Sequence, residues 1–509
     1  MKKVLVVSLV ALFLFPLCML AQSTPVSEGD FVAAYDAFIR RTLTAVPEIP
    51  AIAIVVIKDD RPIFVRAYGM ADKEAGIKAD VDTLFYIASS TKSFTALSAA
   101  LLDKEGKIKL DEPVIKYSSG INFKNPLPEK ITVRNLLTHT SGLKNSPLTF
   151  RMAYTGESDP ADMMHVFGAA TTYTEANYGK YAYDNLGYNI YGLLLQNHLQ
   201  KKWQDVLQEK IFDPLEMKHT TAYVSRASAK KWKVAAPYMF DAASGKIARS
   251  PLSKVDSNMQ SAGGIFASIS DVGRWLNMNM NDGKLDGKQV IPADVVRAVH
   301  TGYAPTTRDA EPFVGAGQYG LGWQIGKYRN ETVIYHHGGF PGYASHISYL
   351  PEKKIGVAVL VNEGFVGQRA GHMLATFAYE WWLQTPGMAE AYEKQLQDIV
   401  DKYPQWKQIT QASFAERAKR TWQLTFPAAD YTGTYRNDIL GTIEITANGN
   451  DLRVKMGNIN IFATPFTGKD TIRVEMIPGN GEVIKFNKNA SGAIESLVYS
   501  EASFTKVSR

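Results

Sequence analysis

Cysteine is almost absent: the 509 residues carry one, Cys18, inside an apolar stretch near the start of the chain. The remaining sequence therefore offers no disulfide, no thiol nucleophile and no cysteine-held metal. An excess of one charge sign is also lacking, since a net charge of +6 spread over this length makes no nucleic-acid footprint. No low-complexity tract and no repeat of solenoid length occurs. Long hydrophobic runs are confined to Val4–Leu20, which follows Lys2 and Lys3 and precedes Ala21-Gln22-Ser23. A basic start, an apolar stretch and a small residue before polar ones read as a secretory signal peptide over residues 1–21, cleaved after Ala21. The reading implies an exported protein, periplasmic or secreted, with no stable membrane span after cleavage. An uncleaved anchor is the alternative, disfavoured because no basic flank follows the run. Phe15-Pro16-Leu17 lacks the small residues of a lipoprotein cleavage site, which argues against lipidation at Cys18.

What is present is enough sequence for a large buried core and a second module. Phe31 to Leu43 has an amphipathic helical pattern. Ala51–Ile57 and Pro62–Gly69 are β-branched runs around a short charged turn, a hairpin of a central sheet. Helical patterns follow at 160–170, 186–199 and 203–211, and at a helix capped by Ser270. Strand signals return at 320–325, 332–336, 344–350 and 355–362, before a helix at 369–383. Strands at both ends of a helical middle predict an α+β fold with an antiparallel sheet flanked by helices, spanning 30–385. Residues 386–426 read as a charged, partly helical linker. From 427 to 509 about eight short alternating runs, bounded by Gly, Asn, Asp or Pro, predict a small antiparallel β-barrel.

The chemistry concentrates at Tyr86–Leu102. Phe94, Leu97, Leu101 and Leu102 recur at helical spacing with no Gly or Pro between, so a buried helix is expected to begin near Ser89. Lys92, three residues on, shares a face with Ser89, and a serine at a helix start stands beside unsatisfied backbone N–H groups. Nucleophile, base and oxyanion donor can then come from one turn. The spacing alone is weak: Ser-x-x-Lys also occurs at Ser141/Lys144, Ser228/Lys231 and Ser503/Lys506. Only the first opens a long apolar helix. Tyr183 and Asn185 are expected on a strand end or tight loop with both side chains in one cleft, although Tyr-x-Asn recurs at Tyr328/Asn330 and Tyr435/Asn437. A third element is Tyr335-His-His-Gly-Gly-Phe-Pro-Gly-Tyr343. Its paired histidines could bind a metal, but His346 brings no ligand spacing with it, so no metal site is expected.

Three motifs in this order resemble the serine β-lactamase and penicillin-binding-protein superfamily, in its class C-like branch of serine hydrolases. Ser89-Ser-Thr-Lys92 is similar to the nucleophile motif, Tyr183-Asp-Asn185 to the Tyr-x-Asn motif and His336-His-Gly338 to the Lys-Thr-Gly or His-x-Gly motif. Residues 131–143 and 261–269 are similar to two further stretches of that branch, and the C-terminal barrel resembles a lipocalin-like module. The resemblance implies an acyl-enzyme mechanism without a cofactor. Ser89 is the implied nucleophile, Lys92 and Tyr183 share its proton, Asn185, His336 and Gly338 line the substrate, and the N–H groups of Ser89 and Gly339 form the oxyanion hole. His337 could take the place of His336 if the turn is shorter. A histidine where relatives carry lysine weakens carboxylate recognition, and Asp184 adds a negative charge that either faces the proton relay or points away.

The leading expectation is an exported serine hydrolase acting on an ester or a peptide, including peptides with D-amino acids. The alternatives are a D-alanyl-D-alanine carboxypeptidase, a weak class C-like β-lactamase, or a non-catalytic binder of cell-wall peptide. The barrel is expected either to cap the cleft or to mediate self-association.

Overall fold

The computed structural model describes residues 27–306, 312–313 and 317–508. The expected signal peptide and Cys18 lie outside them, as do residues 307–311 and 314–316. Among the described residues no helix is long and apolar enough to cross a membrane.

The main sheet contains β1 (Ala51–Lys58), β2 (Arg61–Asp72), β3 (Ile77–Lys78), β4 (Ala304–Thr306), β5 (Gly317–Tyr319), β6 (Gln324–Tyr328), β7 (Glu331–Phe340), β8 (Tyr343–Leu350) and β9 (Ile355–Val361). Its order is β4-β5-β6-β7-β8-β9-β1-β2-β3, antiparallel throughout. Strands from the start and the end of the 30–385 region meet within it, where Val55 pairs with Ala358. Asp59 and Asp60 both take positive φ, 47° and 70°, which is the backbone a two-residue hairpin turn needs.

β1 is buried on both faces, so its run is continuously apolar. Ile52, Ile54 and Val56 pack towards α1 (Glu28–Ala45) and α5 (Val366–Trp382), while Ala53, Val55 and Ile57 face the second core. That second core holds α2 (Thr91–Lys104), α3 (Leu186–Leu199) and α4 (Ile269–Met280). Phe94 of α2 stacks on Trp275 of α4 with ring centres 3.7 Å apart, which fixes α2 against the sheet.

Several local expectations shift. The strand expected at 320–325 starts at Gln324, because Gly322 turns at φ +76° and presses on the α2 backbone, where a Cβ would lie 2.4 Å from the Lys92 carbonyl oxygen. The α4 cap is Ser268, which accepts from Asp271 N at 3.2 Å; Ser270 instead binds the Val81 carbonyl. Residues 388–418 form one helix, α6 (Met388–Ala418), which buries Tyr392, Leu396 and Tyr403 against the α1–α5 layer. The C-terminal residues form a nearly closed barrel of nine strands, one more than the alternation suggested, because Thr464–Pro465 adds a short pairing with 472–473.

Candidate active site

Beyond Tyr335, β7 has no neighbour on its β6 side, since that pairing ends at Gln324↔Tyr335. The exposed edge of residues 336–340 is filled by the turn that carries Ser89. Ser89 lies in a 3-10 turn, Ala88–Ser90, immediately before α2 rather than in its first turn. Ala88 adopts φ +45°, a strained value for a residue with a Cβ. The turn is tied down on both sides. Ser90 Oγ lies 2.9 Å from Ser345 Oγ and donates to the His336 carbonyl at 3.2 Å, and Ser345 Oγ donates to the Ile87 carbonyl at 2.8 Å.

Lys92 is fully buried. Its Nζ lies 2.7 Å from Asn185 Oδ1, 2.8 Å from the Ala262 carbonyl and 3.1 Å from Ser89 Oγ. The first two partners only accept, so they take two of the amine's protons and direct its remaining valence at the serine hydroxyl. The Ala262 carbonyl is held in turn, because Ser261 Oγ donates to the Tyr188 carbonyl at 2.8 Å and Thr95 Oγ1 to the Ser261 carbonyl at 2.7 Å.

Tyr183 approaches from an irregular segment leading into α3, not a strand. Its ring centre is 5.0 Å from Lys92 Nζ and 6.2 Å from the ring of His336. Asp184 turns to the start of α3, where Oδ1 accepts from Leu186 N at 3.0 Å. It thereby satisfies a backbone N–H at the helix start and leaves the amide of Asn185 for Lys92, while the same oxygen lies 3.8 Å from Nδ1 of buried His139.

Strand alternation decides between the histidines. Ile334 belongs to the core on the Ser89 side, Val333 and Tyr335 to the opposite one, so buried His336 faces the Tyr183 cluster and His337 faces α5. His336 Nε2 lies 3.4 Å from Tyr319 Oη, and Nδ1 lies 2.8 Å from the His337 carbonyl. Gly338 is the close approach: a Cβ there would stand 2.1 Å from the Ile87 carbonyl oxygen. Gly339 is exposed, with nothing within 4 Å of an added Cβ. Ser89, Lys92, Asn185, Tyr183, His336 and Gly338 thus converge on one side of β7, while Gly339 follows on the same strand in phase with His337, exposed and with a Cβ position that meets none of them.

Three neighbours carried too little signal to be singled out. His139, inside the 131–143 stretch, packs 4.6 Å from Tyr183 and 4.7 Å from Tyr319, and burial lowers its pKa. Tyr319 is buried, supports His336 and has its phenol pKa pushed up by burial. Lys254 is buried under Phe340, with Nζ 4.0 Å from that ring and 2.8 Å from the Ala153 carbonyl, and burial lowers its pKa to about 7. No local sequence pattern marks any of the three; they become neighbours of the site only once the fold brings distant segments together.

The barrel borders this site. Phe150, Tyr154 and Phe340 pack on its core, Asn458 N donates to the Thr155 carbonyl at 2.7 Å, and Arg151 Nη1 donates to the Ile439 carbonyl at 3.1 Å.

A nucleophile turn, a buried lysine and a glycine strand set against one antiparallel sheet flanked by helices define the serine β-lactamase and penicillin-binding-protein class. The Beta-lactamase family model matches residues 39–379, and the chain belongs to that family of serine hydrolases. Among its relatives, Unguisins hydrolase ungD of Aspergillus violaceofuscus (strain CBS 115571) is 25% identical over 457 residues, 84% of this chain and 78% of that protein. Protein flp of Staphylococcus aureus (strain MW2) is 25% identical over 321 residues, 62% of this chain, which spans 60% of that protein's length. The octameric penicillin-binding protein homologue from Pyrococcus abyssi shares the fold with a TM-score of 0.60 and 23% identity, over 93% of this chain and 100% of that one.

Proposed function

We propose that the protein is an exported serine hydrolase that forms an acyl-enzyme at Ser89 and acts on an ester or peptide, including D-amino-acid-containing peptides. The observation that carries the reading is the Lys92 amine, whose two carbonyl acceptors leave its third direction for Ser89 Oγ at 3.1 Å. In the first half-reaction Ser89 Oγ bonds to the substrate carbonyl carbon, and its proton passes to Lys92. The tetrahedral oxyanion lies between the N–H groups of Ser89 and Gly339. As the bond to the leaving amine or alcohol breaks, Tyr183 delivers the proton to it. Water then attacks the acyl carbon along the same route in reverse, and Ser89 is restored. Asn185 holds Lys92 and the substrate amide, and His336 with Gly338 flanks the acyl group.

His336 offers a hydrogen bond where a fixed positive charge would grip a carboxylate, which favours ester and peptide hydrolysis over efficient β-lactam turnover. The barrel beside Tyr154 and Phe340 supports a limit on substrate length at that end of the cleft. Self-association through its outer strands is the other role proposed for it.

A fluorophosphonate probe tests the reading. Intact-mass analysis is expected to show one adduct on the wild-type chain, mapped to Ser89, and none on Ser89→Ala. A folded wild-type protein that resists fluorophosphonates, activated esters and β-lactams alike would sink it.

A further inference from the structure

On the face of the sheet away from Ser89, three histidines converge. His337 pairs across the β7–β8 ladder with His346, and both meet His372 on α5. The ring of His337 lies 4.6 Å from that of His346 and 4.5 Å from that of His372, and the latter two are 5.1 Å apart. One ring nitrogen from each lies within 4.8 Å of the others. His346 is buried, and Phe313 covers the cluster with its ring centre 5.9 Å from His337 and 5.7 Å from His346.

These separations match a chelate. Zinc held tetrahedrally at about 2.0–2.1 Å from each imidazole nitrogen puts those nitrogens about 3.4 Å apart and the ring centres about 5 Å apart. The Nδ1 atoms of His346 and His372 now lie 2.8 Å from each other, so an ion between them asks for an opening of about half an ångström. The outer partners of a metal-binding histidine are also in place. His346 Nε2 lies 2.6 Å from Ser348 Oγ, which lies 2.6 Å from Tyr379 Oη. Such a contact orients the ring and leaves Nδ1 as the ligating atom.

We propose that His337, His346 and His372 bind one divalent transition-metal ion, zinc in first place, joining β7 and β8 to α5. An all-imidazole set suits zinc, nickel or copper rather than magnesium or calcium, which take oxygen. The role is structural, because Ser89 stands on the opposite face of β7. Its effect reaches the catalytic edge by fixing the strand on which His336 follows from the same backbone.

The test uses untagged, metal-stripped full-length protein, titrated with Zn2+ and, for its visible d–d bands, with Co2+. One ion per chain is expected, with the band intensity of a four-coordinate site. The unfolding midpoint should rise by about 3 °C at a hundredfold excess over Kd. His372→Gln and His346→Gln should each weaken binding at least about a hundredfold, and Ser348→Ala about ten- to a hundredfold. A folded wild-type chain that takes up no zinc after gel filtration overturns the proposal and makes the cluster a hydrogen-bonded core. Uptake unchanged in both histidine variants overturns it as well. Should either variant fail to fold, the wild-type stoichiometry and Ser348→Ala still decide.

Discussion

Gly338→Ala places one methyl group where β7 meets the nucleophile turn. The added carbon would stand 2.1 Å from the Ile87 carbonyl oxygen and 2.4 Å from Ser345 Oγ. Neither can give way cheaply: Ile87 N is bonded to the Ile265 carbonyl at 3.0 Å, and Ser345 Oγ is engaged by Ile87 and Ser90. Relief to an ordinary contact therefore needs β7 to retreat by roughly 1 Å from the turn carrying Ser89, at a stability cost of about 1–3 kcal/mol. A displacement of that size at a reacting centre costs about a hundredfold in rate, or about 2.7 kcal/mol of transition-state stabilisation. The control is Gly339→Ala, which keeps the proposed oxyanion N–H and meets nothing within 4 Å. The second-order rate of fluorophosphonate labelling and kcat/KM on a p-nitrophenyl ester should fall about a hundredfold for Gly338→Ala and change less than about threefold for Gly339→Ala. A Gly338→Ala protein that keeps its cooperative unfolding and labels as fast as wild type would refute the assignment of β7 to the reactive site.

Burial lowers the Lys254 pKa to about 7, so the native state holds this proton more weakly than the unfolded chain does. Its destabilising effect is full below about pH 7 and fades as pH rises towards the unfolded value of about 10.4, so stability rises with pH across that window. Lys254→Met should flatten this slope: urea midpoints at pH 7 and 9 should differ less in the variant, and an equal difference in both proteins counts against a buried amine. Asp184→Ala removes the acceptor at the start of α3 and should cost about 1 kcal/mol in urea unfolding with labelling of Ser89 little changed. A hundredfold loss of labelling without unfolding would place that carboxylate in the proton relay instead.

Much of the scaffold was legible in the chain because burial imposes periodicity. The β1 run, the α2 stripe of Phe94, Leu97, Leu101 and Leu102, and the alternating strands after Tyr431 each announce their partners' absence of water. Ends of elements were read less well. The α4 cap was displaced by two residues because Ser268 and Ser270 satisfy the same local pattern, and only the Val81 carbonyl distinguishes them.

Residue type and order determined the chemistry on offer: a serine three residues before a lysine at the mouth of an apolar helix, a tyrosine, an asparagine, and a glycine strand. Tertiary structure decided how these are used. Which of two adjacent histidines faces Tyr183 depends on strand phase, which is set by which neighbours cover each side of β7. The direction of Asp184 depends on the unsatisfied N–H groups of α3. The meeting of His337 and His346 with His372 depends on α5 packing back across the sheet, a contact between side chains whose separation along the chain carries no local pattern.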